Sequence, residues 1–105
     1  MPQHRMLTVT ISINFGSESR SPIEQNVAAV EGSTVLDVLR IVVPIVTLQK
    51  FGMDDFVEEI AGIRNDFVID RGWHFEVNGY RSNVPAERYL VKSGDLINWL
   101  YIAAP

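Results

Sequence analysis

Trp73 and His74 lie side by side just ahead of Asn78-Gly79, Tyr80, Arg81 and Asn83 follow that dipeptide, and Trp99 stands near the C-terminus. These residue types hold ligands more readily than they break bonds. Large aromatics supply rigid contact area to a flat molecule at a concave site. An imidazole and a guanidinium add hydrogen bonds and charge. Residues beyond a tight turn lie on the loops where binding groups concentrate. Trp73, His74, Tyr80, Arg81, Asn83 and Trp99 are therefore the candidate ligand-binding residues. Both tryptophans also have a second reading, as core filling between a sheet and a helix. Strand alternation sets Trp73 in line with Phe75 and Val77, and Trp99 with Ile97 and Tyr101. His74 and Glu76 offer an imidazole and a carboxylate to a metal, but two ligands do not make a site, and a solvated strand face is the simpler reading.

Other chemistries lack their residues. The chain has no cysteine, which removes disulfides, thiolate metal sites, iron–sulfur ligation and cysteine nucleophiles together. It has no glycine-rich phosphate loop and no Gly-x-Ser-x-Gly elbow. Asp54, Asp55, Glu58 and Glu59 lack the ligand number and turn glycine of a calcium loop and read as a solvated acidic face. No catalytic and no metal-ligating set can be assembled, so a non-enzymatic protein without a cofactor is expected. The net charge of -4 argues against nucleic acid, whose phosphates want a concentrated positive surface. No apolar stretch approaches the roughly 20 residues of a bilayer span, and the N-terminal region alternates where a secretory core is continuous, so a cytoplasmic location and no membrane partner are expected.

The elements that must position the candidates are legible in part. With 105 residues, 47% hydrophobic and 21% charged, the chain suits one domain over residues 1–105, with residues 1–6 as a flexible tail. Leu7, Val9, Ile11, Ile13 and Phe15 alternate with polar residues, which predicts a half-buried strand. Residues 23–30 read as a weaker strand returning antiparallel to it. Thr34 with Asp37 three residues on resembles a capping box and starts a helix, which Pro44 ends or kinks near Val43. Residues 44–70 resist assignment. Within them, 53–63 suits helix or strand, with a lean toward a strand in the second half ending near Gly62. Asn78-Gly79 predicts a tight hairpin between 73–77 and a returning arm over 80–84, stopped by Pro85. Residues 86–90 suit a single turn, and Ser93-Gly94-Asp95 a tight one. The final strand, 96–102, is apolar on both faces and should be central or covered on both sides. The fold class is α+β, a mixed sheet of four or five strands with one main helix packed across it, which is the β-grasp arrangement, or ubiquitin-like roll.

Three motifs carry a resemblance. The helix start Glu31-Gly32-Ser33-Thr34-Val35-Leu36-Asp37-Val38-Leu39, the hairpin Gly72-Trp73-His74-Phe75-Glu76-Val77-Asn78-Gly79 and the closing strand Ser93-Gly94-Asp95-Leu96-Ile97-Asn98-Trp99-Leu100-Tyr101 resemble, in order and spacing, the transcobalamin-like C-terminal domain family. The likeness spans nearly the whole chain. It implies a β-grasp ligand-binding domain and, as the ligand, a corrinoid such as cobalamin or another flat molecule; His74 and Glu76 could offer their groups to an axial position of a corrinoid as they could to a metal. In the vitamin-B12 carriers of that family this domain covers one face of the corrinoid while a helical domain holds the other. Any such partner domain is expected from another chain.

A rival expectation belongs to another class, a protein-interaction or accessory subunit. The apolar run over residues 41–48, extended by Phe51, Met53 and Phe56, exceeds what one helix face must bury. It predicts an apolar surface patch, or a homodimer built on it.

Overall fold

Alternation near the N-terminus does produce a strand. In the computed structural model, which describes residues 5–16 and 20–103, β1 (Met6–Asn14) runs antiparallel to β2 (Ile23–Val30). Leu7, Val9, Ile11 and Ile13 are buried on one face. The tail expected over 1–6 is shorter at its inner end. Met6 already pairs with Val30, and the Arg5 carbonyl accepts the Glu31 N–H at 2.7 Å, while residues 1–4 lie outside the described residues.

The helix α1 (Val35–Val42) begins on the expected capping box. The Thr34 hydroxyl accepts the Asp37 N–H at 3.1 Å, and the Asp37 carboxylate accepts the Thr34 N–H at 2.9 Å. Two more N–H groups of its first turn, on Val35 and Leu36, reach the carbonyls of Tyr89 and Ala86 at 2.9 and 3.1 Å. That docks the helix start on the turn that precedes the last strand. Val43, next to Pro44, is already extended, so the helix stops there without a kink.

Residues 44–70 hold a second sheet that the sequence did not reveal. β3 (Ile45–Lys50), β4 (Met53–Ile60) and β5 (Ile63–Arg64) form an antiparallel meander. The strand expected only in the second half of 53–63 in fact begins at Met53 and ends at Ile60, because a turn at Ala61-Gly62 intervenes. Three of the four acids of the stretch from Asp54 to Glu59 gain a cation here. Asp55 meets Arg40 at 3.5 Å, Glu58 meets Lys50 at 3.8 Å and Glu59 meets Arg64 at 3.2 Å.

β6 (Arg71–Val77), β7 (Tyr80–Arg81) and β8 (Leu96–Ala103) complete the larger, mixed sheet in the order β2-β1-β8-β6-β7, with β8 parallel to β1. The returning arm expected over 80–84 pairs only at Tyr80 and Arg81. The Ser82 hydroxyl then accepts the Val84 N–H at 2.8 Å, and this local turn takes the chain off the sheet edge. The molecule is thus mostly β with one short helix. α1 and the smaller sheet lie on one face of the large sheet, and between them sit Ile11, Ile13, Phe15, Leu39, Ile60 and Ile97, none more than 1% exposed. β8 is central, which is one of the two placements expected of it, and one of its faces is covered by the second layer. Ile97, Trp99 and Tyr101 are buried, whereas Leu96 is 41% exposed and Leu100 and Ile102 are half-buried among side chains of the open face.

Candidate functional site

Two side-chain devices build the region around Trp73. The first joins the hairpin tip to the start of β8. The Asp95 carboxylate accepts from Asn78 Nδ2 at 3.0 Å and from the Lys92 N–H at 2.8 Å, while Asn78 Oδ1 accepts the Leu96 N–H at 2.9 Å. Asn78 and Gly79 have φ of 54° and 85°, as a type I′ turn demands. The Asn-Gly and Gly-Asp motifs are therefore partners of each other and serve the scaffold.

The second device is Asn65, which clasps the two sheets. Its amide donates to the Val57 carbonyl of β4 at 3.0 Å and accepts the Trp73 N–H of β6 at 2.8 Å, while its own N–H reaches the Glu58 carbonyl at 3.0 Å. A side-chain amide thus does what a peptide group does between strands. Gly72 makes room for it, since a Cβ there would lie 3.2 Å from Asn65 Oδ1.

Beyond the clasp lies a cleft of about 270 Å³ between β4, β6 and the segment after β7. Five of the six candidate residues, Trp73, His74, Arg81, Asn83 and Trp99, lie around it; Tyr80, 78% exposed at the hairpin end, does not. Sequence reasoning missed the remaining walls, chiefly Met53 and Phe56 from β4, Phe75 from β6, and Val84 to Ala86. Phe75 alternated visibly with His74, but nothing in the sequence placed β4 opposite it.

The two readings of the tryptophans merge. Trp73 is core, 8% exposed. It packs edge-on to Phe15 at 5.8 Å and against Tyr101 at 5.1 Å, and its indole N–H donates to the Ile63 carbonyl at 2.9 Å. Trp99, 2% exposed, packs on Phe75 at 5.2 Å, and its Nε1 has no acceptor among the described residues. Both rings form wall as well as core.

The polar groups of the cleft differ in availability. Asp55 is engaged by Arg40 and by the Thr47 hydroxyl. Arg81 is exposed and makes no ion pair among the described residues. Arg71 and Trp73 turn their N–H groups away from β8, toward Asp66 and Asn65, so alternation directs the N–H and C=O of Phe75 the same way. β7 ends beside them, at Arg81.

Burial, and then the nearby Arg81 guanidinium, lower the pKa of His74 below its ordinary 6.5. Its proton is held more tightly by the unfolded chain than by the fold. His74's contribution to stability is therefore intact above pH 6.5 and is lost as the pH falls through the depressed folded value. Urea titrations at pH 7.5 and pH 5.5 (about one unit either side of an unperturbed imidazole) should show lower stability at the acid end, and His74→Asn should flatten that difference. An unchanged difference in the variant would assign it to the carboxylates.

A second depression, of about 420 Å³, lies by Asn78, Arg88 and Lys92, but its Asn78 and Asp95 side chains are engaged with each other and with main chain. Among the described residues no group of three His, Asp or Glu side chains is placed to hold a metal ion.

Comparison with known proteins agrees with this architecture. No curated protein matches the chain by sequence. Among solved structures, haptocorrin in complex with Cbi superposes with a TM-score of 0.80 at 14% identity, over 100% of this chain and 27% of that one. A Ruminococcus gnavus protein described as a candidate metal-binding protein superposes with a TM-score of 0.70 at 16% identity, over 94% of this chain and 99% of that one. The chain thus spans about a quarter of haptocorrin's length, and at these identities the likeness is one of fold. The expected transcobalamin-like relationship holds at that level. The finer family assignment rests on the profile described as domain of unknown function DUF4430, which matches residues 32–103, from the helix cap to the end of β8, and the chain belongs to that family.

Proposed function

We propose that this is a β-grasp domain that binds one edge of a small flat ligand in the cleft beside Phe75, without chemistry of its own. The observation that carries the reading is the convergence of Trp73, His74, Arg81, Asn83 and Trp99 on that single cleft. At about 270 Å³ it lies just below the ~300–1,000 Å³ of pockets that engulf a drug-sized molecule. It suits a ring edge or substituent, with the rest of the ligand left for another surface. The β-grasp assignment is supported by the mixed sheet with a helix on one face and by the superposition on haptocorrin, whose complex with Cbi makes a corrinoid the first ligand to test. The groups at the cleft offer stacking and hydrogen bonds, and the Ser82 hydroxyl is engaged with the main chain of Val84 instead of with His74.

A second reading, self-association as a homodimer or docking on a partner protein, is favoured by a surface the sequence only half foresaw. Leu48 and Phe51 are exposed as expected, and Phe67, Val68 and Ile69 add to them from the loop after Asn65, Val68 being 95% exposed. Lys50 lies 5.2 Å from the Phe51 ring and 5.4 Å from that of Phe67, so the two stretches form one patch.

One experiment separates the readings. Cobalamin and Cbi are titrated into the protein while tryptophan emission and the corrinoid absorption bands are followed, with light scattering on the same samples. The cleft reading expects quenching and a band shift on a monomer. Silence at millimolar ligand removes corrinoids, and a concentration-dependent dimer without quenching favours the patch.

A further inference from the structure

The cleft holds one guanidinium, that of Arg81, and its lack of an ion-pair partner among the described residues says what kind of ligand it takes. The indole N–H of Trp99 is buried in the cleft wall with no acceptor among the described residues. The carboxylate at the cleft, Asp55, is already held by Arg40 and Thr47. Glu76 stands opposite Arg81 in the β6–β7 register but makes no ion pair with it. A buried donor left without an acceptor is costly, and a guanidinium beside an apolar slot is the usual partner of a planar anion.

We propose that the ligand of this cleft carries an anionic oxygen, a carboxylate or a phosphate, that docks on Arg81 while its flat apolar body lies against Phe56, Phe75 and Val84. The proposal rests on the cleft being the binding site and adds the chemical class of what enters it. It separates an acid from a neutral molecule of the same shape, which stacking alone would not. The depressed pKa of His74 fits, since a neutral imidazole leaves Arg81 as the positive group of the cleft.

The test compares three probes with one ring system, naphthoate, naphthyl phosphate and the neutral naphthamide. Their binding is followed by the indole N–H resonances in proton–nitrogen correlation spectra. The Trp99 resonance should move and that of Trp73, bonded to Ile63, should stay. The native protein should bind one or both anions about fivefold more tightly than the amide, the upper range for an exposed ion pair. The better anion identifies the group. Arg81→Gln should abolish the preference, Arg81→Lys should retain part of it, and Glu76→Gln should increase it by removing a competitor. Added salt should shrink it. Equal affinity for acid and amide, or a preference that survives in Arg81→Gln, overturns the anion proposal while Trp99 still reports an occupied cleft. If no probe moves Trp99, the cleft reading fails with it. A thermal transition matching the native one shows that each variant is folded.

Discussion

Replacing Asp95 with alanine is expected to lower stability by about 3 kcal/mol, or on the order of 15 °C in Tm for a domain of this size. Asp95 is 8% exposed, and both its carboxylate oxygens accept, from Asn78 Nδ2 and from the Lys92 N–H. Removing it leaves two donors without partners near the junction of β1, β6 and β8. Around it the Gly94 N–H reaches the Thr8 carbonyl at 2.8 Å and the Thr10 N–H reaches the Asp95 carbonyl at 2.9 Å, so the same turn sets the parallel register of β1 on β8. Asp95→Asn keeps the volume and one acceptor and should lose about half as much. Asn78→Ala should cost about 2 kcal/mol, partly through the φ of 54° that asparagine tolerates and alanine resists. Because the two residues bond each other, the double variant should lose less than the sum of the singles. Urea denaturation of the four proteins measures all of this. A loss within about 0.5 kcal/mol for Asp95→Ala, the level of an ordinary surface change, would show that the lock is not what joins the hairpin to the last strand.

That lock explains why the C-terminal third was legible and the middle was not. Asn78-Gly79 and Gly94-Asp95 are residue types that turns demand, and alternation on either side names the strands. The capping box at Thr34 and Asp37 announces itself in the same way. The smaller sheet also turns through two-residue loops with positive φ at both positions, but they are Phe51-Gly52, at 56° and 75°, and Ala61-Gly62, at 50° and 86°. Phenylalanine and alanine carry no hairpin signal, because their side chains disfavour that conformation and only the tertiary context holds them in it. β3 and β4 also shift register at Val46/Thr47 and between Leu48 and Lys50, which scrambles the period-2 pattern the eye would follow. Five of the six candidate residues lie around one cleft because they sit on one hairpin, the segment after it and the strand beside it. The other wall of the cleft was hidden with β4. The open face of β8 is apolar for a different reason. Leu100 lies between Asn14 and His74 in the sheet, and neighbours within a sheet can half-bury an apolar side chain without a second layer.

Asn65 decides whether those two walls face each other, and removing it is the second large effect expected. Asn65→Ala leaves the Val57 carbonyl and the Trp73 N–H without partners and should cost about 2 kcal/mol. The loss should be local as well as global. Trp73 and Tyr101 still tie β6 and β8 to this region through the carbonyls of Ile63 and Arg64, at 2.9 and 2.8 Å, but those bonds reach β5 and not the stretch of β4 that lines the cleft. Amide exchange should therefore quicken in β3 and β4 beyond what the global loss accounts for, while β1 and β8 follow the global value. Asn65→Asp separates the two bonds, because a carboxylate still accepts from Trp73 but cannot donate to Val57, and it repels that carbonyl. Ligand affinity should fall in both variants under conditions where they remain folded, since one wall of the cleft then floats against the other. A uniform rise in exchange across both sheets would mean that the two open as a single unit. The clasp would then be one hydrogen-bonded contact among many and not the hinge on which the cleft depends.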